Sequence, residues 1–134
     1  MFIVKNANVL TVGINGKAQV LKELKIGVIS VQFGAEAARS LKSEKFDSVI
    51  SRWDLDDMKN GRFLQGLKNI KPDMPIIAII ESGNTYQEIS ARSLGVSAVI
   101  TEDIGDDYFC ELISQLLGLE ETENIKTMYA SLEV

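Results

Sequence analysis

The chain has 134 residues, of which 46% are hydrophobic, and its 14 Lys and Arg against 19 Asp and Glu give a formal net charge of −5 at pH 7. This length fits one globular domain, and the acidic balance disfavours nucleic-acid binding, which needs a clustered basic face. The sequence has no histidine and a single cysteine, Cys110, which excludes internal disulfides, cysteine-rich zinc sites and histidine-dependent nucleophiles. No apolar run is long enough to span a membrane and no signal peptide is recognisable, so we expect a soluble, cytoplasmic domain.

Runs rich in β-branched residues alternate with segments of helical periodicity along the chain. In order, the patterns predict a strand over 8–14, a helix over 16–25, a strand over 26–32, a helix over 35–44, a strand over 46–53, a helix over 61–70, a strand over 76–80, a helix over 85–94, a strand over 96–101 and a helix over 106–117. In the third helix, Phe63, Leu67 and Ile70 form the apolar stripe. A weaker helical pattern in the fourth helix runs through Tyr86, Ile89 and Ser93.

Five strand–helix units with short connections predict an α/β fold, a doubly wound five-stranded parallel sheet with helices on both faces in three layers. Such a flavodoxin-like domain would occupy residues 1–119. Residues 120–134 form a tail in which four apolar side chains recur at helical spacing: Ile125, Met128, Tyr129 and Leu132. A helix this short is not stable alone, so we expect the tail to dock on its own domain or on a partner.

Three segments of the chain carry a family resemblance. They are FDSVI at 46–50 with RWDL at 52–55 and Met58, MPIIAI at 74–79, and ARSLGVSAVIT at 91–101. In this order and spacing they resemble the third strand and its loop, the fourth strand, and the passage from fourth helix to fifth strand of the response-regulator receiver family. These are the CheY-like domains of two-component signalling, and the resemblance covers about residues 7–117.

The resemblance implies five polar groups at the carboxyl ends of the strands. Two acids after strand 1 and an aspartate ending strand 3 hold Mg²⁺, and that aspartate accepts the phosphoryl group; a Ser or Thr after strand 4 and a Lys after strand 5 bind the phosphate. In this chain the five positions hold other residues: Gly13, Ile14, Arg52, Ile80 and Glu102. Arginine neither accepts a phosphoryl group nor ligates magnesium. The resemblance therefore implies a degenerate pseudo-receiver with no metal and no phosphoacceptor.

Two hypotheses follow for these strand ends. Arg52 and Glu102 could form a charge pair, with Glu81 as a candidate third member, that replaces the metal-and-phosphate network and holds the strand ends in one state. Alternatively, a two-residue slip brings Asp54 to the acceptor position and Ser82 to the hydroxyl position, although it restores neither the first acid pair nor the lysine. Under the first hypothesis, the acidic residues after strand 3 form a solvated loop, in which Asp54 or Asp57 caps the helix near Gly61.

Three further features have alternative interpretations. The turn over 13–17 is too short for a nucleotide phosphate loop, so it predicts a plain glycine-rich turn. Trp53 at the end of a strand fits an exposed binding anchor and local packing about equally. Cys110 has no histidine to activate it, which favours a helical surface or boundary thiol over a nucleophile.

We therefore expect a protein–protein interaction module of signal transduction that is not an enzyme and needs no cofactor. In receivers the usual docking surface is built from helix 4, strand 5 and helix 5, and here it would include Tyr86, Tyr108 and the apolar tail residues. The expected partner is a signalling protein or a second copy of the chain, with no nucleic acid and no membrane. Two alternatives stay open: a phosphoaccepting receiver that uses Asp54 with Mg²⁺, and a flavodoxin-like module that binds a small ligand at the strand ends.

Overall fold

Five parallel strands form one sheet in the order β2-β1-β3-β4-β5. The computed structural model describes residues 7–118. The strands are β1 (Asn8–Val12), β2 (Gly27–Val31), β3 (Ser48–Arg52), β4 (Ile76–Ile80) and β5 (Ala98–Thr101). The helices are α1 (Asn15–Ala18, continued by a 3₁₀ segment, Gln19–Glu23), α2 (Gly34–Ser43), α3 (Arg62–Ile70), α4 (Thr85–Leu94) and α5 (Asp106–Leu116). The predicted doubly wound parallel sheet is confirmed.

Two apolar cores lie on opposite faces of this sheet, because successive side chains of a strand point to opposite sides. On one face, Leu10 and Val49 pack with the helices α2, α3 and α4. On the other, Val9 and Ile50 pack with α1, the 3₁₀ segment and α5, where Phe109 is fully buried. The interior strand β4 is buried along its whole length, which explains its continuously apolar sequence.

The first and third helices differ from their predictions. The helix expected over 16–25 is a single α-helical turn followed by 3₁₀ geometry, and it ends where Leu24 adopts an extended conformation with ψ 148°. In α3 the inward position predicted for Ile70 is wrong, since that residue is 78% exposed. The buried face of α3 includes Leu64 instead, and Ile70 is the last residue of the helix.

The fourth helix has the predicted bounds but exposes its predicted apolar stripe. Tyr86 is 74% exposed and Ile89 is 61% exposed, whereas Gln87 and Ala91 are buried against the sheet. Gly95, with φ +86°, ends the helix as predicted. No helix within residues 7–118 is long and apolar enough to cross a membrane. The predicted apolar tail residues, from Ile125 onward, lie outside the described residues.

Candidate functional site

The carboxyl ends of β1, β3 and β5 meet at one edge of the sheet, as parallel pairing requires. An open cleft of about 290 Å³ lies there and is lined by Gly13, Ile14, Asn15, Gly16, Lys17, Arg52, Ile79 and Glu102. Four of the five positions at which the chain departs from the receiver pattern therefore come together. The fifth, Ile80, is not a lining residue, because its side chain is buried in the core on the α2–α4 face.

An ion pair joins two walls of the cleft. The Arg52 guanidinium donates from Nη2 to Oε2 of Glu102 over 3.1 Å, and the two side chains are 40% and 42% exposed. Because β4 lies between β3 and β5 in the sheet, this contact bridges the end of β4. The hypothesised pair is thus present, but Glu81 is not a member of it, since its Oε2 accepts from Asn84 Nδ2 at 3.3 Å.

A double-mutant cycle measures what this ion pair contributes. Exposed pairs of this kind are worth little because solvent screens them, so we expect a coupling free energy of about 0.2–1 kcal/mol between Arg52→Ala and Glu102→Ala. Urea unfolding of the wild type, both single variants and the double variant provides the measurement. The coupling should shrink at high salt; strictly additive losses would mean that the pair does not hold the strand ends together.

Lys17 connects the first helix to the start of α5 and the residues just before it. Its ammonium group donates to the carbonyl of Ile104 and to Oδ1 of Asp106, the latter at 3.2 Å, and it lies 5.9 Å from the centroid of the Phe109 ring. The side chain is only 19% exposed. These contacts were missed by the sequence reasoning, because no spacing rule relates residues so far apart in the chain.

Gly13 is the residue that the sequence resemblance places at the position of the first receiver acid. Its φ of +75° lies in the left-handed region, and a Cβ placed there would stand 2.8 Å from Leu55 Cδ2 and 3.4 Å from Arg52 Cδ. A side chain at this point therefore requires the end of the Leu55 side chain to shift and puts an L residue in a strained backbone conformation. The backbone conformation and the packing around Gly13 favour a residue without a side chain.

Asp54 and Ser82, the pair that a two-residue slip would use, bond to different partners. Asp54 accepts from the backbone N–H of Asn60 at 2.6 Å and from Gln87 Nε2 at 3.4 Å. Ser82 instead donates to Asp103, and this contact and the hydroxyl of Thr101 lower the pKa of the Asp103 carboxyl, with Thr101 the larger cause. Within residues 7–118, no three acidic or cysteine side chains are grouped in a way that could hold a metal ion.

Asp57 caps a helix, but not the one predicted. Its carboxylate accepts from the backbone N–H groups of Gly34 at 2.8 Å and Ala35 at 3.0 Å, which are the first residues of α2. These two hydrogen bonds, led by that of Ala35, lower the pKa of the Asp57 carboxyl. The acidic loop after β3 is therefore tied to α2, and it is Asp54 that bonds to the backbone just before α3.

The Asp57 cap makes stability depend on pH. Because its pKa is lowered in the folded state, its contribution is present above the ordinary aspartate pKa and is lost as the pH falls through the folded-state value. We expect Asp57→Asn to cost about 0.5–1 kcal/mol near neutral pH and less at acid pH, because the amide has one acceptor oxygen where the carboxylate uses two. Urea unfolding at several pH values measures it. The matched control is Asp56→Asn, and an equal pH-dependent loss in that variant would contradict the assignment.

Trp53 is buried, whereas Cys110 lies at the boundary of the core. Trp53 is 3% exposed and its ring lies against Gly61, so the interpretation as an exposed anchor is wrong. The thiol of Cys110 is half-buried and lies 3.6 Å from the carbonyl oxygen of Val20. Burial raises the pKa of Cys110, with the nearby carboxylate of Glu23 adding to the effect, which disfavours the reactive thiolate.

Two of the side chains predicted for a docking surface are strongly exposed. Tyr86 on α4 is 74% exposed and Tyr108 on α5 is 65% exposed. The tail residues predicted to join them, Ile125, Met128, Tyr129 and Leu132, lie outside the described residues.

Comparison of the structure with solved structures places this arrangement in a known fold. The crystal structure of a CheY-like response regulator receiver domain protein from Methanospirillum hungatei JF-1 superposes with a TM-score of 0.77 at 18% identity, covering 89% of this chain and 99% of that one. The chain has the CheY-like receiver fold. The signal receiver domain of an HD domain-containing protein from Pseudomonas fluorescens Pf-5 also matches, with a TM-score of 0.77 at 18% identity over 92% of this chain and 96% of that one.

Sequence comparison agrees with this fold. A stretch of 90 residues, 67% of the chain, is 29% identical to the transcriptional regulatory protein GlrR of Escherichia coli (strain K12). The match covers 20% of that protein, so the chain spans only about a fifth of its curated relative. No protein-family model matches the chain. Within the receiver fold, the cleft at Arg52 and Glu102 lies at the carboxyl ends of the strands, where ligands of doubly wound sheets bind.

Proposed function

We propose that the chain is a pseudo-receiver, a module of two-component signalling that acts by protein–protein interaction without phosphorylation, metal or catalysis. The observation that carries the proposal is the ion pair between Arg52 and Glu102. Arg52 stands at the position of the phosphoryl acceptor in the receiver pattern, and Glu102 stands at the position of the phosphate-binding lysine. In this chain the two side chains form an ion pair with each other instead. The close packing around Gly13 supports the same conclusion for the magnesium ligands.

The proposed partner is a signalling protein or a second copy of the chain in the cytoplasm. The similarity to GlrR, a transcriptional regulatory protein, supports a place in bacterial signalling. The exposed rings of Tyr86 and Tyr108 supply the kind of side chain that is enriched at protein interfaces. The proposed docking surface is that of α4, β5 and α5.

Intact-mass spectrometry after incubation with Mg²⁺ and a small phosphodonor tests the loss of phosphorylation. We expect no added phosphoryl group, because the acceptor position holds a guanidinium and Asp54 is engaged by two hydrogen bonds. An active receiver treated in parallel serves as the positive control. A phosphoryl adduct on the wild type that disappears in Asp54→Asn would overturn the proposal in favour of a phosphoaccepting receiver.

The cleft itself supports a second candidate function, a small-ligand-binding module. Its volume of about 290 Å³ and its lining by Gly13, Arg52 and Glu102 give a ligand both charged groups and close access to the backbone. NMR titration with nucleotides and with amino acids is the direct test. Saturable chemical-shift changes of the Gly13 and Gly16 amides that are absent in Arg52→Ala would favour ligand binding. Unchanged spectra would favour the interaction module over a ligand-binding module.

A further inference from the structure

A buried glutamine lies at the start of α4 and faces the ends of two strands. Gln87 is only 5% exposed. Its Oε1 accepts from the backbone N–H of Glu81, directly after β4, at 2.8 Å, and its Nε2 donates to Oδ2 of Asp54, in the loop after β3, at 3.4 Å. A buried amide whose partners are removed carries a full desolvation cost, so these contacts constrain where the helix can lie.

Further hydrogen bonds fix Asp54 and the first turn of α4. Asp54 Oδ1 accepts from the backbone N–H of Asn60 at 2.6 Å, which holds the carboxylate in place from the side of α3. The backbone N–H of Gln87 donates to Oδ1 of Asn84 at 3.0 Å, so the first turn of α4 is capped. The start of α4 is therefore bonded to the end of β4 and to the loop that precedes α3.

We propose that Gln87 and Asp54 form a latch that fixes α4 in one position. Tyr86 and Ile89, the exposed apolar side chains of this helix, take their positions from the same turns that carry Gln87. The hydrogen bonds of Gln87 therefore set the orientation of the surface that carries Tyr86 and Ile89. This inference goes beyond the proposed function, because it holds whether or not the surface binds a partner and whether or not the cleft binds a ligand.

The latch can be tested by reversing its donor and acceptor. In Gln87→Glu the new carboxylate still accepts from the N–H of Glu81 but faces the carboxylate of Asp54, so the two groups repel. Adding Asp54→Asn to that variant restores a hydrogen bond, because the new amide at position 54 donates to the new carboxylate and can keep its oxygen on the N–H of Asn60. Asp56→Asn controls for the loss of one negative charge from the same loop.

Hydrogen exchange of the full chain gives the readout. We expect amide exchange in α4 to rise roughly tenfold in Gln87→Glu and to return near the wild-type rate in the double variant, while amides of β1 and β4 keep their protection. An unchanged α4 in Gln87→Glu, or the same rise in the double variant, would overturn the proposal. If Gln87→Glu does not fold, Asp54→Ala is compared with Asp56→Ala. Faster amide exchange in α4 for Asp54→Ala alone supports the latch. Equal α4 exchange rates in the two variants refute it.

Discussion

Replacing Phe109 by alanine is expected to lower the free energy of unfolding by about 3–5 kcal/mol. Phe109 is fully buried in the core between α5 and the sheet, where Ile50 and Ile77 lie in the same cluster. Truncation removes the apolar contacts of a whole ring and leaves a cavity that rigid strands cannot close. The ring also contributes a cation–π contact with Lys17, so its loss weakens the attachment of the first helix as well. Urea unfolding at equilibrium measures the change.

The adjacent residue supplies the matched control. Tyr108 is 65% exposed on the same turn of α5, and Tyr108→Ala removes an aromatic ring of similar size without opening a cavity. We expect that variant to stay within about 0.5 kcal/mol of the wild type. Comparable losses in Phe109→Ala and Tyr108→Ala would show that α5 does not pack as the structure has it.

Gly61→Ala is expected to cost about 2–5 kcal/mol, a large effect for one methyl group. Gly61 has a φ of +71°, which L side chains adopt at a cost of about 1–2 kcal/mol. A Cβ there would lie 2.2 Å from Cζ2 of Trp53, and relieving that overlap in a packed core typically adds about 1–3 kcal/mol. The new methyl group must displace the indole or the loop. Since Trp53 is the single tryptophan, its fluorescence reports both the unfolding transition and the local displacement.

Gly16→Ala separates these causes from the general effect of replacing a glycine. A Cβ at Gly16 meets no atom within 4 Å, and the residue lies in the short helix α1, where alanine is favoured. We expect its stability to be unchanged or raised, by at most about 1 kcal/mol. A loss at Gly61 no larger than the change at Gly16 would contradict the close packing of Trp53 on the turn before α3.

The fold was predictable because its strongest signals are local. The apolar run of β4 has the same bounds in the sequence pattern and in the structure, since a strand covered on both faces needs no alternation. The α4 pattern also has the right bounds, closed by Gly95. What the pattern could not assign is which face of α4 is buried, because a stripe of Tyr86 and Ile89 and a face of Gln87 and Ala91 fit a helix equally well.

The site was predictable only where residues share one edge of the sheet. The pairing of Arg52 with Glu102 follows from parallel topology, which places both at the carboxyl ends of their strands. The role of Asp57 does not follow, because its partners are backbone N–H groups of a helix that precedes it in the chain. Gln87 was missed for a similar reason: a glutamine on a helix is usually exposed, and its burial depends on a carboxylate from a distant loop.

The contacts of Lys17 have a consequence for synthesis of the chain. Its partners Ile104 and Asp106 lie 87 and 89 residues further along the sequence. During synthesis on the ribosome, Lys17 in the first helix therefore cannot form these hydrogen bonds until nearly all of the described chain has emerged. Until then the apolar residues of α1 lack the covering surface of α5, and a nascent chain stopped before β5 would expose them to chaperones and proteases.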